Sequence, residues 1–467
     1  MIATLAATTQ AALRRYTRSW GLWAVLLIGP IAARWWIPRD DATTAVIAID
    51  GHAPILSSAM LGVTLGVVVS TLLLPVGFIY LRSNVTRRQP WQVDSVTPAS
   101  RVGIALGQFF ADALVFAGVL AGLSCAGLII GALLLSPHAF RPIEILGPLW
   151  LIAGPSLLVV AGVRTLFAAR PRLRGALGEV AFFCLWMASL VMAIGAGEGG
   201  QTDFRHNMAD MAGFLRPLTA ELNPGDPVNL SIGSSVLVGA ERIAIDPVVG
   251  ITSPGYVASR LGWAGIALVL AALGGLVYRS PVRGQSVVRP GRFARWNRPA
   301  PTRPADPDAP AARRVAMALP GLLRSEAGLI VRGRMARVAV AVIAVAGLLV
   351  DFRHVASPAI LLLLIFGATA HAGRSEQAKL IALTATMRVS PWARRAAFVL
   401  ATTGWSVAAG LPAIARGLTM GLVEPLWLSL GTGAVVGAVT MALARVSRSA
   451  FAPRLVLLLA WYGYISV

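Results

Sequence analysis

The amino-acid sequence predicts an all-α polytopic membrane protein with about eleven transmembrane helices in two repeated bundles. Hydrophobic residues make up 56% of the 467 residues, charged residues make up 13%, and the mean hydropathy is +0.72. Soluble globular domains contain about 25% charged residues, so this chain belongs in a lipid bilayer. Its long apolar runs satisfy their backbone hydrogen bonds in lipid only as helices, and they lack the period-two alternation of a membrane β-barrel.

Each predicted span is an apolar window that crosses all or most of about 30 Å of hydrocarbon as a helix. The seven strongest windows are 20–36, 57–81, 103–135, 146–167, 176–194, 260–278 and 427–444. Four shorter or weaker windows are 338–350, 358–370, 396–415 and 454–467.

Arginines alternate with the predicted spans. They cluster before the first window and after the second, and Arg164, Arg170, Arg172 and Arg174 are placed after the fourth; residues 279–337 carry thirteen more. The loop 195–259 instead holds seven acidic residues against three arginines. Because positive charge marks cytoplasmic loops, we expect a multi-pass protein of the inner (cytoplasmic) membrane with its N-terminus in the cytoplasm. Membrane-proximal arginines explain the net charge of +21, so no nucleic-acid partner is expected.

The chain divides into a first bundle, 1–280, with about six spans, and a second bundle, 321–467, with about five. An Arg/Pro-rich segment, 281–320, joins them and is predicted to be a cytoplasmic linker. Each half contains a basic amphipathic approach, two spans, a polar stretch and a third span. Val96, Pro98 and Arg101 match Val389, Pro391 and Arg394 at a constant offset of 293. Such duplication is typical of transporters.

The two polar stretches are 87–101, "RRQPWQVDSVTPASR", and 383–395, "LTATMRVSPWARR". Thr97-Pro98 and Ser390-Pro391 each place an N-cap hydroxyl before a proline, which predicts a helix start. The residues before each pair are compatible with a short helix on the cytoplasmic surface. The alternative is an ordinary loop whose arginines contact lipid headgroups.

The passage "YLRSNVTRRQPWQVDSVTPASRVGIALGQFFADALVFAGVLAG" resembles the cytoplasmic loop and third span of type-2 ABC exporter permeases. The passage "SPGYVASRLGWAGIALVLAALGGLVYRSPV", followed by "RFARW", resembles the last span and exit of the same subunits, and 324–444 resembles them more faintly. The resemblance implies a permease whose coupling helices dock into a dimer of a separate ABC ATP-binding subunit. The coupling residues that it implies are Arg87, Arg88, Trp91, Asp94, Thr97, Pro98, Arg101, Glu376, Lys379, Arg388, Ser390, Pro391 and Arg394.

No nucleotide chemistry is predicted within this chain. Its only lysine is Lys379, so it contains no Gly-Lys-(Ser/Thr) P-loop. We therefore expect no enzyme activity and no cofactor in the chain, and ATP-Mg bound by the partner subunit. The other expected partners are the lipid bilayer and further membrane subunits. One departure from the family is that the second half is one span short, which would leave Val467 on the far side.

Asp112 is the candidate substrate or gating residue. It lies on the third span, where an unpaired carboxylate is costly, so we expect it to face the bundle interior, water or an arginine. The alternative is a residue at the cytoplasmic interface. Glu179, which lies close to Arg172 and Arg174 in sequence, is expected to form an interfacial ion pair.

The loop "DFRHNMADMAGFLRPL" spaces Asp203, His206 and Asp210 as metal ligands on one helical face. Its apolar residues form an opposite stripe, which favours an amphipathic helix on the membrane surface over a metal site. No metal is therefore expected.

Two other functions remain open from the sequence. A secondary transporter would carry ionisable residues in several spans, and here they are scarce apart from Asp112. A non-transporting membrane scaffold, or a membrane enzyme, would place its activity in the loop 195–259, which lacks paired reactive groups.

Overall fold

The computed structural model describes residues 2–37, 43–86, 99–174, 176–197, 204–222, 229–239, 241–278, 318–331, 334–349, 352–372, 391–447 and 451–465. These residues are mostly helical, with four short strands and connecting turns, which agrees with the predicted all-α membrane class. Their contacts divide them into two compact units. One consists of the residues up to 278 together with those from 458 onward, and the other consists of residues 318–457.

The first unit contains eleven α-helices among its described residues up to 278. They are α1 (Ile2–Thr17), α2 (Trp20–Ala33), α3 (Ser58–Thr71), α4 (Leu74–Thr86), α5 (Arg101–Leu134), α6 (Pro142–Ala169), α7 (Ala176–Gly197), α8 (Phe204–Ala209), α9 (Leu215–Thr219), α10 (Pro247–Ile251) and α11 (Tyr256–Leu276). Helix α6 is central, because α3, α5 and α11 all pack against it, while α1 and α2 pack against α5. Glycines permit this close approach: a Cβ at Gly62 or Gly162 would collide with the backbone of the neighbouring helix.

A small layer of strands and short helices covers one end of α3 and α6. Strand β1 (Thr44–Ile49) pairs antiparallel with β3 (Leu230–Val236), and β2 (Ala53–Pro54) pairs parallel with β4 (Arg242–Ile243). We call these strands together with α8, α9 and α10 the strand cap. Ile47 of β1 and Phe214 of the cap share a buried apolar cluster with Met60 of α3 and Ile152 of α6. Burial of this cluster holds the strand cap on the helices.

Five of the described helices are long and apolar enough to cross a membrane: α5, α6, α11, residues Trp392–Thr419 of α15 (Pro391–Thr419) and α16 (Glu424–Ser447). The pair Ser58–Thr71 and Leu74–Arg82 adds a sixth if it forms one span, although it bends by 50°. The bend lies where Pro75 cannot donate a backbone hydrogen bond to the preceding turn. Helix α2 has 14 residues, and the apolar parts of α7, α13 (Arg334–Leu349) and α14 (Ser357–Thr369) are also short. The predicted count of eleven is therefore not reached by length and composition alone.

The start of α5 differs from the prediction. Thr97 and Pro98 were expected to begin this helix, but it begins at Arg101 and Ser100 is its N-cap residue. The Ser100 hydroxyl accepts a hydrogen bond from the Gly103 N–H at 3.3 Å. Ser100, which lies closer to the apolar run than Thr97, thus caps the helix. In the second half, Pro391 is the first described residue of the helix, and Ser390 lies outside the described residues.

The second unit contains α12 (Ala318–Ile330), α13 (Arg334–Leu349), α14 (Ser357–Thr369), α15 (Pro391–Thr419), α16 (Glu424–Ser447) and the first residues of α17 (Phe451–Ile465). A π-helical segment, Phe352–Ala356, precedes α14. Helices α12, α13 and α16 pack against α15, and α14 packs against α16.

Helices α15 and α16 meet through small residues spaced four apart on each helix. In antiparallel register, Thr402 lies opposite Gly437, and Gly410 lies opposite Ser429. Between these pairs, a Cβ at Gly433 would lie 2.5 Å from the Thr403 Cα. Small residues let two helix backbones approach closely, which is the main source of helix association in lipid.

Replacing Gly433 with alanine should destabilise the second unit by about 1–3 kcal/mol, because the new methyl group forces α15 and α16 apart. The measurement is the thermal melting temperature of the purified protein in lipid nanodiscs. Gly431→Ala is the matched control on the same helix, since a Cβ at Gly431 meets no atom within 4 Å. Equal melting temperatures for the two variants would contradict the assigned helix contact.

Candidate functional site

Ten of the thirteen predicted coupling residues lie outside the described residues. They are Arg87, Arg88, Trp91, Asp94, Thr97, Pro98, Glu376, Lys379, Arg388 and Ser390. Pro391 is the first residue of α15 and Arg394 lies in its first turn. Arg101 is the first residue of α5, where its guanidinium carbon lies 5.4 Å from the ring centroid of Tyr278. Arg174 approaches the same ring at 5.4 Å. Arg101 therefore packs at the end of α11 within the first unit.

Asp112 is buried between three helices. One carboxylate oxygen, Oδ2, lies 2.9 Å from Nη1 of Arg164 on α6, and the two side chains are only 1% and 3% exposed. The other oxygen, Oδ1, accepts a hydrogen bond from the Tyr16 hydroxyl of α1 at 2.6 Å. We call Tyr16, Asp112 and Arg164 the polar joint. It links α1, α5 and α6 through an ion pair with Arg164 and a hydrogen bond from Tyr16 to the carboxylate.

Contacts next to the polar joint bring α1 close to α5. The Thr9 hydroxyl donates to the Gly107 carbonyl at 3.1 Å, and a Cβ at Gly107 would lie 2.7 Å from the Leu5 carbonyl oxygen. The ring of Tyr80, on α4, lies 6.0 Å from the ring of Tyr16. Helix α4 leads directly toward the polar stretch 87–101, and α5 leads away from it. The joint thus lies between the two helices that flank this stretch.

Arg164 lies inside a helix and not in the loop where it was predicted. Arg164 was assigned to the loop after the fourth span, but α6 continues to Ala169 and buries it. The signal was present, because residue 164 lies inside the apolar window 146–167. A buried carboxylate is expected to have a buried arginine beside it, because either charge alone would be costly in a medium of low dielectric constant.

Both carboxylate oxygens of Asp112 are engaged, so the site is closed to a substrate in this conformation. A substrate could reach Asp112 only if the contact with Arg164 or Tyr16 broke. In this conformation Asp112 is a contact between helices α1, α5 and α6.

Glu179 forms an ion pair with an arginine of another helix. Its carboxylate lies 3.7 Å from Nε of Arg82 on α4, and both side chains are about nine-tenths buried, at 10% and 12% exposure. Arg174 donates to the Ala168 carbonyl at 2.6 Å. The pair Arg82–Glu179 thus ties α4 to α7. Stacking of the Phe78 and Phe182 rings at 3.9 Å extends the same contact.

The predicted amphipathic helix over the loop "DFRHNMADMAGFLRPL" is wrong. Helix α8 ends at Ala209, and Asp210 turns inward to 4% exposure. Its two oxygens accept hydrogen bonds from the N–H groups of Gly213 and Leu215, each at 2.7 Å. Gly213 has a left-handed φ of 77°, which glycine adopts most readily. The local turn, stabilised by Asp210, is more favourable here than a continuous helix.

Arg260, at the start of α11, holds this turn from the other side. Its Nη2 donates to the carbonyls of Asn207 at 2.7 Å and Asp210 at 2.6 Å, and its Nη1 donates to Met211 at 3.2 Å. The Tyr256 hydroxyl donates to the Gly213 carbonyl at 2.7 Å. Burial raises the pKa of the Asp210 carboxyl, against the opposing effects of Arg260 and the backbone N–H groups. This network anchors the strand cap on α11.

No metal site forms in the described part of this loop. Among the described residues, no three His, Cys, Asp or Glu side chains come together to hold a metal ion. Asp203 lies outside the described residues, while Asp210 is already used by backbone N–H groups.

Comparisons with protein-family models, with curated proteins and with solved structures find no match to this chain. Function is therefore inferred from the residues and their contacts.

Proposed function

We propose that this chain is the transmembrane permease subunit of an ATP-driven exporter in the cytoplasmic membrane. It couples a separate ATP-binding subunit to substrate translocation through the polar stretches 87–101 and 383–395. The resemblance of these stretches to the coupling elements of type-2 ABC exporter permeases is the starting point of the proposal.

The observation that carries the proposal is the matching order of helix packing on either side of the linker. In the first unit, α1 and α2 pack against α5, α3 packs against α6, and α5 packs against α6. In the second unit, α12 and α13 pack against α15, α14 packs against α16, and α15 packs against α16. The two series follow the same chain order. This supports two bundles built alike, each with one polar stretch before its third principal helix.

The lysine content of the sequence supports a separate partner that hydrolyses ATP. Lys379 is the only lysine in the chain, so a Walker-type ATP site is absent from the sequence. In this proposal, ATP-Mg is held by the partner, and nucleotide-driven closure of two partner copies moves the two stretches.

A secondary transporter is less well supported. Ion coupling needs a carboxylate that can exchange its ion or proton with water. Among the described residues of the five long apolar helices, the buried carboxylate is Asp112, and Arg164 already neutralises it. The contact therefore resembles a permanent link more than an ion-binding site.

Affinity purification from the native host tests the proposal. The tagged wild-type chain should retain a P-loop ATPase, identified by mass spectrometry. Scrambling 87–101 and 383–395 together should reduce its recovery at least about tenfold, a loss equal to ~1.4 kcal/mol of binding free energy. Scrambling 289–303 is the matched control, because this linker segment is also rich in arginine and predicted to be cytoplasmic. Full recovery of the ATPase with both stretches scrambled would refute the proposal.

A further inference from the structure

We infer that helix α7 is a brace that fixes the angle of the bent pair α3–α4, and that the Trp186 indole replaces the backbone donor that Pro75 lacks. Trp186 is thus a positioning residue that holds two helix segments at one angle. The contacts involved all lie within the first unit, and they do not depend on the proposed function.

The bend leaves one carbonyl oxygen without its helical donor. In a continuous α-helix the N–H of residue 75 would donate to the carbonyl of residue 71, but Pro75 has no N–H. The N–H groups of Leu72 and Leu73 both donate to the Val68 carbonyl, at 2.9 and 3.1 Å, so neither serves Thr71. Thr71 is 2% exposed, and a buried carbonyl without a donor is costly.

The residues before the break favour a bend by themselves. The hydroxyls of Ser70 and Thr71 both donate back to the Val67 carbonyl, at 3.3 and 2.6 Å. Such side-chain bonds to the preceding turn often bend a helix. The sequence of α3 therefore produces a bend, and contacts from other helices decide its angle.

Trp186 of α7 supplies the missing donor. Its Nε1–H donates to the Thr71 carbonyl at 2.8 Å, and the residue is 6% exposed. The two residues are 115 positions apart in the sequence, so only the packing of α7 against the bend brings them together. Within a bilayer, a broken helix is tolerated where neighbouring protein groups satisfy the freed backbone. The indole satisfies the carbonyl that Pro75 leaves open.

One face of α7 contacts both arms of the bend. Trp186 bonds to the α3 arm, whereas on the α4 arm Phe182 stacks on Phe78 and Glu179 pairs with Arg82. Residues 179, 182 and 186 are three and four positions apart, which places them on one side of a helix. A neighbour that contacted one arm alone would leave the angle free. Contacts on both arms fix it.

The same face of α7 also supports the strand cap. Leu190, four residues after Trp186, packs against the apolar cluster that joins the cap to α3. In that cluster, Met60 and Val67 of α3 meet Phe214 of the cap. A change in the angle of α3–α4 would therefore displace the cap relative to α4, and α7 opposes this change at three points along the pair.

Hydrogen exchange of the full chain in lipid nanodiscs, measured by mass spectrometry in two backgrounds, tests the brace. Trp186→Phe keeps an aromatic ring and removes the donor, so exchange in residues 68–77 should rise roughly 5- to 30-fold. Pro75→Ala provides a backbone N–H for the Thr71 carbonyl, and alanine is favoured in helices. In that background, Trp186→Phe should add no further rise. The melting temperatures of the same four proteins should show the same dependence.

Trp23→Phe is the matched control, because it removes an indole N–H that donates to the Thr17 carbonyl in an exposed contact. Exchange in residues 68–77 should keep its wild-type rate in this variant. An equal rise in both backgrounds, no rise in the wild-type background, or a uniform rise over the whole first unit would overturn the inference. The measurement needs no ATPase, so its outcome is separate from that of the affinity purification.

Discussion

Replacing Asp112 with asparagine is expected to destabilise the first unit by about 3–5 kcal/mol, because it leaves the Arg164 guanidinium buried without a counter-charge. The pair is 2.9 Å apart and 1% and 3% exposed, so little solvent is available to screen the remaining charge. The measurement is the melting temperature and the folded yield in nanodiscs. This loss and that of Arg260→Met are the largest effects that we expect from single substitutions.

A second variant separates loss of charge balance from loss of shape. Arg164→Met has a similar volume, and the double variant Asp112→Asn with Arg164→Met removes both charges. Its stability should recover most of the loss, since replacing a buried pair with neutral groups is often tolerated. A double variant as unstable as the single one would show that the pair contributes through packing and not through charge.

Replacing Arg260 with methionine is expected to release the strand cap from α11. The change leaves the carbonyls of Asn207, Asp210 and Met211 without their donor and removes the cation beside Asp210. Each buried polar group left unpaired costs about 1–3 kcal/mol, so the three carbonyls together should cost at least about 3 kcal/mol. Limited proteolysis and hydrogen exchange of residues 204–222 provide the measurement.

Two controls accompany the Arg260 variant. Asp210→Asn removes one of the two acceptor oxygens and should cost about 1–3 kcal/mol, less than Arg260→Met. Arg141→Met removes an exposed ion pair with Glu144 and should leave the strand cap unaffected. Normal protection of 204–222 in Arg260→Met would mean that the apolar cluster alone holds the cap.

Hydropathy predicted the membrane class and the positions of most helices. All eleven apolar windows fall on described helices, including α14 and α17, whose windows were short or weak. The number of spans could not be predicted from hydropathy. Breaks such as the one before Pro75 depend on whether neighbouring helices satisfy the unpaired backbone groups. The start of α5 was not predicted, because Ser100 competes with Thr97 as a cap.

The candidate site was only partly readable from the sequence. Asp112 was predicted to face the bundle interior, water or an arginine, but Arg164 was assigned to the loop after the fourth span. The role of Tyr16 could not be predicted, because a tyrosine at the end of a basic amphipathic helix is common at a membrane surface. The hydrogen bond from Trp405 to the Ala327 carbonyl could not be predicted, because the two residues are far apart in the sequence.

By itself the sequence determined that this protein is helical and lies in a membrane, because transfer free energy accumulates residue by residue along each apolar run. Only the tertiary structure decided which polar groups meet: Asp112 with Arg164 and Tyr16, Glu179 with Arg82, and Asp210 with Arg260. Those pairings depend on how each helix is rotated and how closely its neighbours approach. Glycines and buried charges far apart in the chain set both properties together, so no local pattern contains them.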